Sequence, residues 1–165
     1  MRRRIIVGLL ALAFVAGCGK GGLSSKKAKQ LIEKAKSDFM DPDVVGIADF
    51  AFDVIDMTED SKSPPTSAFD HVEITEGRMF DYVKMPKDEA YWAVELDFVA
   101  RNTETDEERY GTAVLQYGSY VVNGVHREAH LMFSLTGTTE QEIENNKTAV
   151  SASLNSLRAA GKMMR

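Results

Sequence analysis

Cysteine is almost absent: Cys18 is the only one in 165 residues. A lone cysteine forms no internal disulfide, so the fold is not stapled and has to rest on a packed core. Apolar runs are short as well. The longest opens at Ile5 and closes at about Val15, well below the ~20 residues that a membrane-crossing helix needs. Positive charge is in deficit, with 20 Lys and Arg against 25 Asp and Glu and a formal net charge of −5. Nucleic acid is therefore not an expected partner. Nucleophile motifs are missing too. There is no Gly-x-Ser-x-Gly elbow, and serines beside glycine, such as Ser119, have no partner that spacing can assign. Gly19, Gly21 and Gly22 follow no strand and do not read as a phosphate loop. No cofactor is expected.

The N-terminus, by contrast, is specific. Met1-Arg2-Arg3-Arg4 is a basic start, Ile5 to Val15 is an apolar stretch, and Val15-Ala16-Gly17-Cys18 leads through small residues to the cysteine. This is the layout of a secretory signal. It resembles the lipobox of bacterial lipoproteins, over the first eighteen residues. The resemblance implies cleavage between Gly17 and Cys18, a diacylglyceryl group on the Cys18 thiol, and acylation of the new amino terminus. Each buried methylene contributes about 0.8 kcal/mol, so two or three chains make permanent an attachment that one chain leaves marginal. The implied partner is a membrane held through lipidated Cys18, and the implied location is the bacterial cell envelope. Gly19 stands where aspartate often signals inner-membrane retention in enteric lipoproteins, which favours the periplasmic face of the outer membrane in a Gram-negative host.

Loss of residues 1–17 removes three arginines and no acid, which takes the net charge from −5 to −8. Lys20, Lys26, Lys27, Lys29, Lys34 and Lys36 gather near the anchor, with only Glu33 and Asp38 among them. They read either as a solvated helix face or as a basic patch, in which each lysine near an anionic leaflet contributes about 1 kcal/mol.

Three units follow: residues 1–17 as signal peptide, 18–25 as lipidated cysteine and flexible tether, and 26–165 as a single α+β domain. From Lys26, the spacing of Ala28, Leu31, Ile32, Ala35 and Phe39 is the stripe of a surface helix, capped by Ser24 or Ser25 and ended by Asp41-Pro42. Residues 41–57 support either a helical face or alternation; their aromatic and β-branched content favours a helical turn at Pro42–Gly46 and then a strand. Thr58 to Asp70, with Ser61, Ser63, Pro64, Pro65, Thr66 and Ser67, reads as a loop. The period then becomes two. Val72 and Ile74 open a strand, Gly77 marks a turn or bulge, and Phe80 and Tyr82 continue to Pro86. Trp92, Val94, Leu96, Phe98 and Ala100 line one face of the next strand, with Glu95, Asp97 and Arg101 on the other.

Asn123-Gly124 is the strongest hairpin signal, since both central residues of a type I′ turn need positive φ. The returning strand is expected to bury Val125, Ala129, Leu131, Phe133 and Leu135. Thr139 and Glu142 then form a capping box for a long helix with Ile143, Val150, Leu154, Leu157 and Met164 on one side. The expected architecture is α+β: an N-terminal helix, an antiparallel meander of about five strands, and a long C-terminal helix.

His126, Glu128 and His130 look metal-like, but the segment reads as strand. All three side chains then share a face, and the outer imidazoles stand roughly 13 Å apart, too far to ligate one zinc. Asn102, Glu104 and Asp106 imitate the start of a calcium loop, but Glu107 occupies the glycine position and Ala113 the place of the last carboxylate. They read as a solvated turn. Asp53, Asp56, Glu59 and Asp60 have no ligand spacing. No metal is expected. Tyr91, Tyr117 and Tyr120 form a recognition surface if they share an exposed face. Together these features point to a non-enzymatic envelope lipoprotein that acts as an interaction or accessory module for another envelope protein. The alternative is a small apolar-ligand or lipid-binding lipoprotein, with a pocket lined by Trp92, Phe98 and Phe133.

Overall fold

The computed structural model describes residues 23–41 and 71–163. The signal segment with Gly17 and Cys18, the turn and strand expected over 42–57, the acidic run at 53–60 and the loop before 70 lie outside the described residues. Within them the fold is α+β. Helix α1 (Ser25–Phe39) precedes four strands, β1 (His71–Lys84), β2 (Ala90–Asn102), β3 (Glu107–Val122) and β4 (Val125–Gly137), and helix α2 (Glu140–Met163) follows. The strands form one sheet in chain order, each antiparallel to the next. Four strands, not five, make up the described sheet.

α1 starts where Ser24 accepts a hydrogen bond from the Lys27 N–H at 3.2 Å, so one of the orphan donors of the first turn is satisfied. Its stripe buries Leu31, Ala35 and Phe39 against Trp92, Val94, Leu96, Phe98 and Ala100 of β2 and Ala113, Leu115 and Tyr117 of β3. Gly77 makes this docking close. A Cβ there would lie 3.0 Å from both Ile32 Cγ2 and Lys36 Cε.

α2 covers the opposite face. Its Val150 and Leu154 pack on Val83, Ala93 and Val114, with Phe133, Leu135 and Leu157 at the margin. The capping box is formed in both directions: Thr139 Oγ1 accepts from Glu142 N–H at 3.3 Å, and Glu142 Oε2 accepts from Thr139 N–H at 3.1 Å. The backbone N–H groups of Thr139 and Thr138 both donate to the Glu142 carboxylate, which favours its ionised form and holds its pKa below the ordinary value.

The sheet is thus the middle of three layers, and this changes the meaning of its alternation. β2 is buried from Trp92 through Leu96, and β3 from Gly111 through Gly118. Glu95 and Asp97 do lie on the face opposite Leu96, as the period of two requires. That face is not solvent, because α2 lies across it.

Candidate functional site at the hairpin end of the sheet

The β3–β4 hairpin closes at Asn123 (φ 51°) and Gly124 (φ 76°), the paired positive values of a type I′ turn. Beside it the strands carry apolar side chains that nothing covers among the described residues. Val122 is 47% exposed, Val125 54% and Met132 48%. β4 does not keep a regular alternation with β3. Pairing slips between Gln116 and Tyr117, where Met132 is the extra residue, and again between Gly118 and Tyr120, where Ala129 takes φ 35°. Each bulge reverses which face the following residues meet. Leu131 therefore packs with the α1 cluster while Phe133 and Leu135 pack with the α2 cluster, and Val125 is exposed. The single buried face expected for β4 is corrected on this ground.

The same bulges separate the histidines. His130 pairs with Gly118 and His126 with Val121, an even and an odd position of β3, so they occupy opposite faces. His126 Nε2 lies 3.3 Å from Ser119 Oγ, and the His130 ring lies 6.0 Å from that of Tyr120. The expectation that His126, Glu128 and His130 share one face is overturned. Asn102 is committed to its turn, its Oδ1 accepting from the N–H groups of Glu104 (2.9 Å) and Thr105 (3.0 Å), with Asp106 at φ 57°. Among the described residues no group of three His, Cys, Asp or Glu side chains is placed to hold a metal ion.

Of the three tyrosines, two come together. A Cβ on Gly118 would meet Met132 Sδ at 3.0 Å, Tyr91 Cε1 at 3.0 Å and Tyr120 Cδ1 at 3.1 Å, so these side chains close over a glycine backbone. Both tyrosines are half-buried. Burial, with Glu89 and Tyr120 nearby, pushes the Tyr91 phenol above its ordinary pKa. Glu89 also accepts from the Val121 N–H at 3.3 Å, tying the β1–β2 turn to the hairpin. Tyr117 belongs elsewhere. It is fully buried on the α1 face, stacked on Trp92 at 5.6 Å, and its hydroxyl donates to Asp38 at 2.9 Å. Desolvation, then the Asp38 carboxylate, raises its pKa. The three tyrosines do not share an exposed face. The patch is Tyr91, Tyr120 and Met132, continued by Val122 and Val125 at the turn. Sequence reasoning missed the three apolar members. Gly118 inside a strand and the valines flanking Asn123-Gly124 were the available signals.

The second polar feature is interior. Glu95, 4% exposed, is held by Arg78 at 2.5 Å and by Lys147 of α2 at 2.6 Å. Arg78 also binds Asp97 at 2.6 Å, and Thr112 donates to Asp97 at 2.8 Å. Burial opposes the Arg78 charge, but the carboxylates of Glu95 and Asp97 outweigh it and raise its pKa. With Arg158 bound to Asp81 (2.8 Å) and Gln116 bound to Ser153 (3.1 Å), these pairs bolt α2 to the sheet. Their geometry is structural, since each carboxylate is already taken by a cation of the same protein.

The aromatic trio of the ligand-binding reading is also divided. Trp92 and Phe98 pack under α1, Phe98 against Phe39 at 5.4 Å, whereas Phe133 lies with the α2 cluster. Among the described residues no helix is long and apolar enough to cross a membrane. The chain matches no known protein family, no curated protein and no solved structure.

Proposed function

We propose that the chain is a bacterial envelope lipoprotein, lipidated at Cys18, that works by binding another envelope protein and not by catalysis. The exposed apolar end of the β3–β4 hairpin carries this reading: Met132, Val122 and Val125 beside the half-buried Tyr91 and Tyr120. Aromatic residues and methionine are enriched at the centres of protein interfaces, and apolar side chains grouped on a surface mark such sites. The bulges at Ala129 and Met132 support it further, because bulges blunt an edge strand against indiscriminate strand pairing and leave recognition to side chains. Val15-Ala16-Gly17-Cys18 supports the anchor, and Gly19 favours the periplasmic face of the outer membrane. The apolar-ligand reading is weaker, since Trp92 and Phe98 are separated from Phe133 by the sheet.

The test is photo-crosslinking in native membranes from a reactive side chain at Val122 or Met132. A discrete crosslinked protein is expected, lost in Val122→Asp and in Met132→Asp while the melting temperature stays near wild type. Crosslinks that survive both substitutions, or form equally from Glu104 at the other end of the sheet, refute the hairpin as the interface. Cys18→Ser is expected to abolish labelling by a palmitate analogue; persistent labelling refutes the anchor.

A further inference from the structure

The start of α1 runs against helix electrostatics. A helix N-terminus carries roughly half a positive charge, which favours acidic side chains in the first turn and disfavours basic ones. α2 obeys this with Glu140 and Glu142. α1 has no acid in its first turn; Lys26 and Lys27 stand there instead, and Lys29 opens the second turn, all three exposed. Lys34 and Lys36 are neutralised within the helix by Asp38 at 2.9 Å and Glu33 at 3.0 Å. Lys26, Lys27 and Lys29 have no side-chain partner among the described residues. A charge pattern that weakens its own helix and finds no compensating carboxylate among the described residues leaves these lysines open to an anionic partner.

Position says what that partner is. Six residues, Gly19 to Ser24, separate Cys18 from α1, and they include Gly19, Gly21, Gly22 and another cation, Lys20. Even fully extended, a chain of that length spans no more than about 25 Å. The Debye length is about 8 Å at physiological salt, so an anchored chain samples positions in which these lysines feel a charged leaflet. α1 is also rigidly seated, through Asp38 on Tyr117 and Phe39 on Phe98, so whatever holds the helix holds the domain.

We propose that the first two turns of α1 form an electrostatic docking surface for the anionic phospholipid headgroups of the leaflet that holds Cys18. This rests on the lipid-anchor reading. Docking sets the α1 layer toward the leaflet and the α2 layer away from it. A lysine near an anionic surface strengthens binding about fivefold, so the three together shift the docked population by about a hundredfold.

Trp92 is the only tryptophan, which makes the test direct. The full lipidated chain, purified from membranes, is reconstituted on vesicles of phosphatidylcholine alone or with phosphatidylglycerol, each carrying a dansyl headgroup acceptor. Energy transfer from Trp92 is expected to be greater on the phosphatidylglycerol vesicles and to fall to the phosphatidylcholine level in high salt. The Lys26→Gln/Lys27→Gln/Lys29→Gln variant is expected to lose the difference, and the triple Lys→Arg variant to keep it, both with wild-type melting. Equal transfer on the two vesicle types for the wild type, or a difference retained by the glutamine variant, overturns the docking surface. Flotation with vesicles in high salt reads the anchor separately. If it is lost, the anchor reading fails, and the lysines are still judged by low-salt flotation of wild type against the glutamine variant on phosphatidylglycerol.

Discussion

Removing the Glu95 carboxylate is expected to loosen α2 from the sheet. Glu95 sits 4% exposed between Arg78 (2.5 Å) and Lys147 (2.6 Å), so Glu95→Ala deletes two charge-assisted hydrogen bonds at once. Breaking a buried pair by removing one partner costs about 3–5 kcal/mol when the orphaned charge stays buried. Here it does not stay fully buried. The Arg78 side chain is 41% exposed and keeps Asp97, and that of Lys147 is 28% exposed and can turn toward water. Solvent screening of those two ends brings the expected cost to about 2–3 kcal/mol. Lys147→Ala leaves Glu95 its arginine and should cost less, about 1 kcal/mol. The double variant should cost less than the sum of the two, since the second substitution removes a cation already orphaned. Urea denaturation at neutral pH is the assay, with the midpoint falling and the slope unchanged. A loss within about 0.5 kcal/mol, the range of ordinary surface substitutions, refutes the burial of Glu95 beneath α2.

On the other face, Phe98→Ala removes a ring that is 1% exposed and packed on Phe39, and is expected to cost about 3–5 kcal/mol by the same denaturation assay. A cost below that of Glu95→Ala argues against the α1 cluster as the main core. For Glu142, the folded-state pKa lies below the ordinary 4.5 because backbone N–H groups of Thr138 and Thr139 bind the carboxylate. Its contribution is therefore complete above the unfolded pKa and is lost as pH falls through the folded one. Wild type should melt above Glu142→Gln at neutral pH, with the gap closing in acid below about pH 4; a gap that is constant with pH excludes a carboxylate cap.

What could be read from residues was what local chemistry decides alone. The α1 stripe, the Asn123-Gly124 turn, the Thr139 and Glu142 box and the even face of β2 each depend on neighbours within a few positions, and each is where the spacing put it. The errors arose where a distant element decides. Glu95 alternates correctly, yet the outer face of β2 became a second interior only because α2 returns across it. The candidate site divides in the same way. Cys18 and its lipobox resemblance are read from linear sequence alone and lie outside the described residues. The hairpin patch cannot be read that way, because β4 bulges at Ala129 and Met132, residues that carry no glycine or proline to announce a bulge.

Tyr117 was within reach of elementary spacing. Three positions separate it from Tyr120, an odd number, and in a regular strand that alone sets the two on opposite faces. Its partner across the pair is Trp92, an even-face residue of β2, so alternation already assigned Tyr117 to the α1 core. Tyr120 then remains with Tyr91 and Gly118 on the other side, where strand β3 leaves the cover of α2 and the burial of its residues falls away toward the turn. The exposed apolar end of the hairpin is thus a consequence of length. β3 runs on past its last buried position at Gly118 to Val122, and the apolar residues it carries beyond that point, with those that β4 brings back, meet no layer among the described residues.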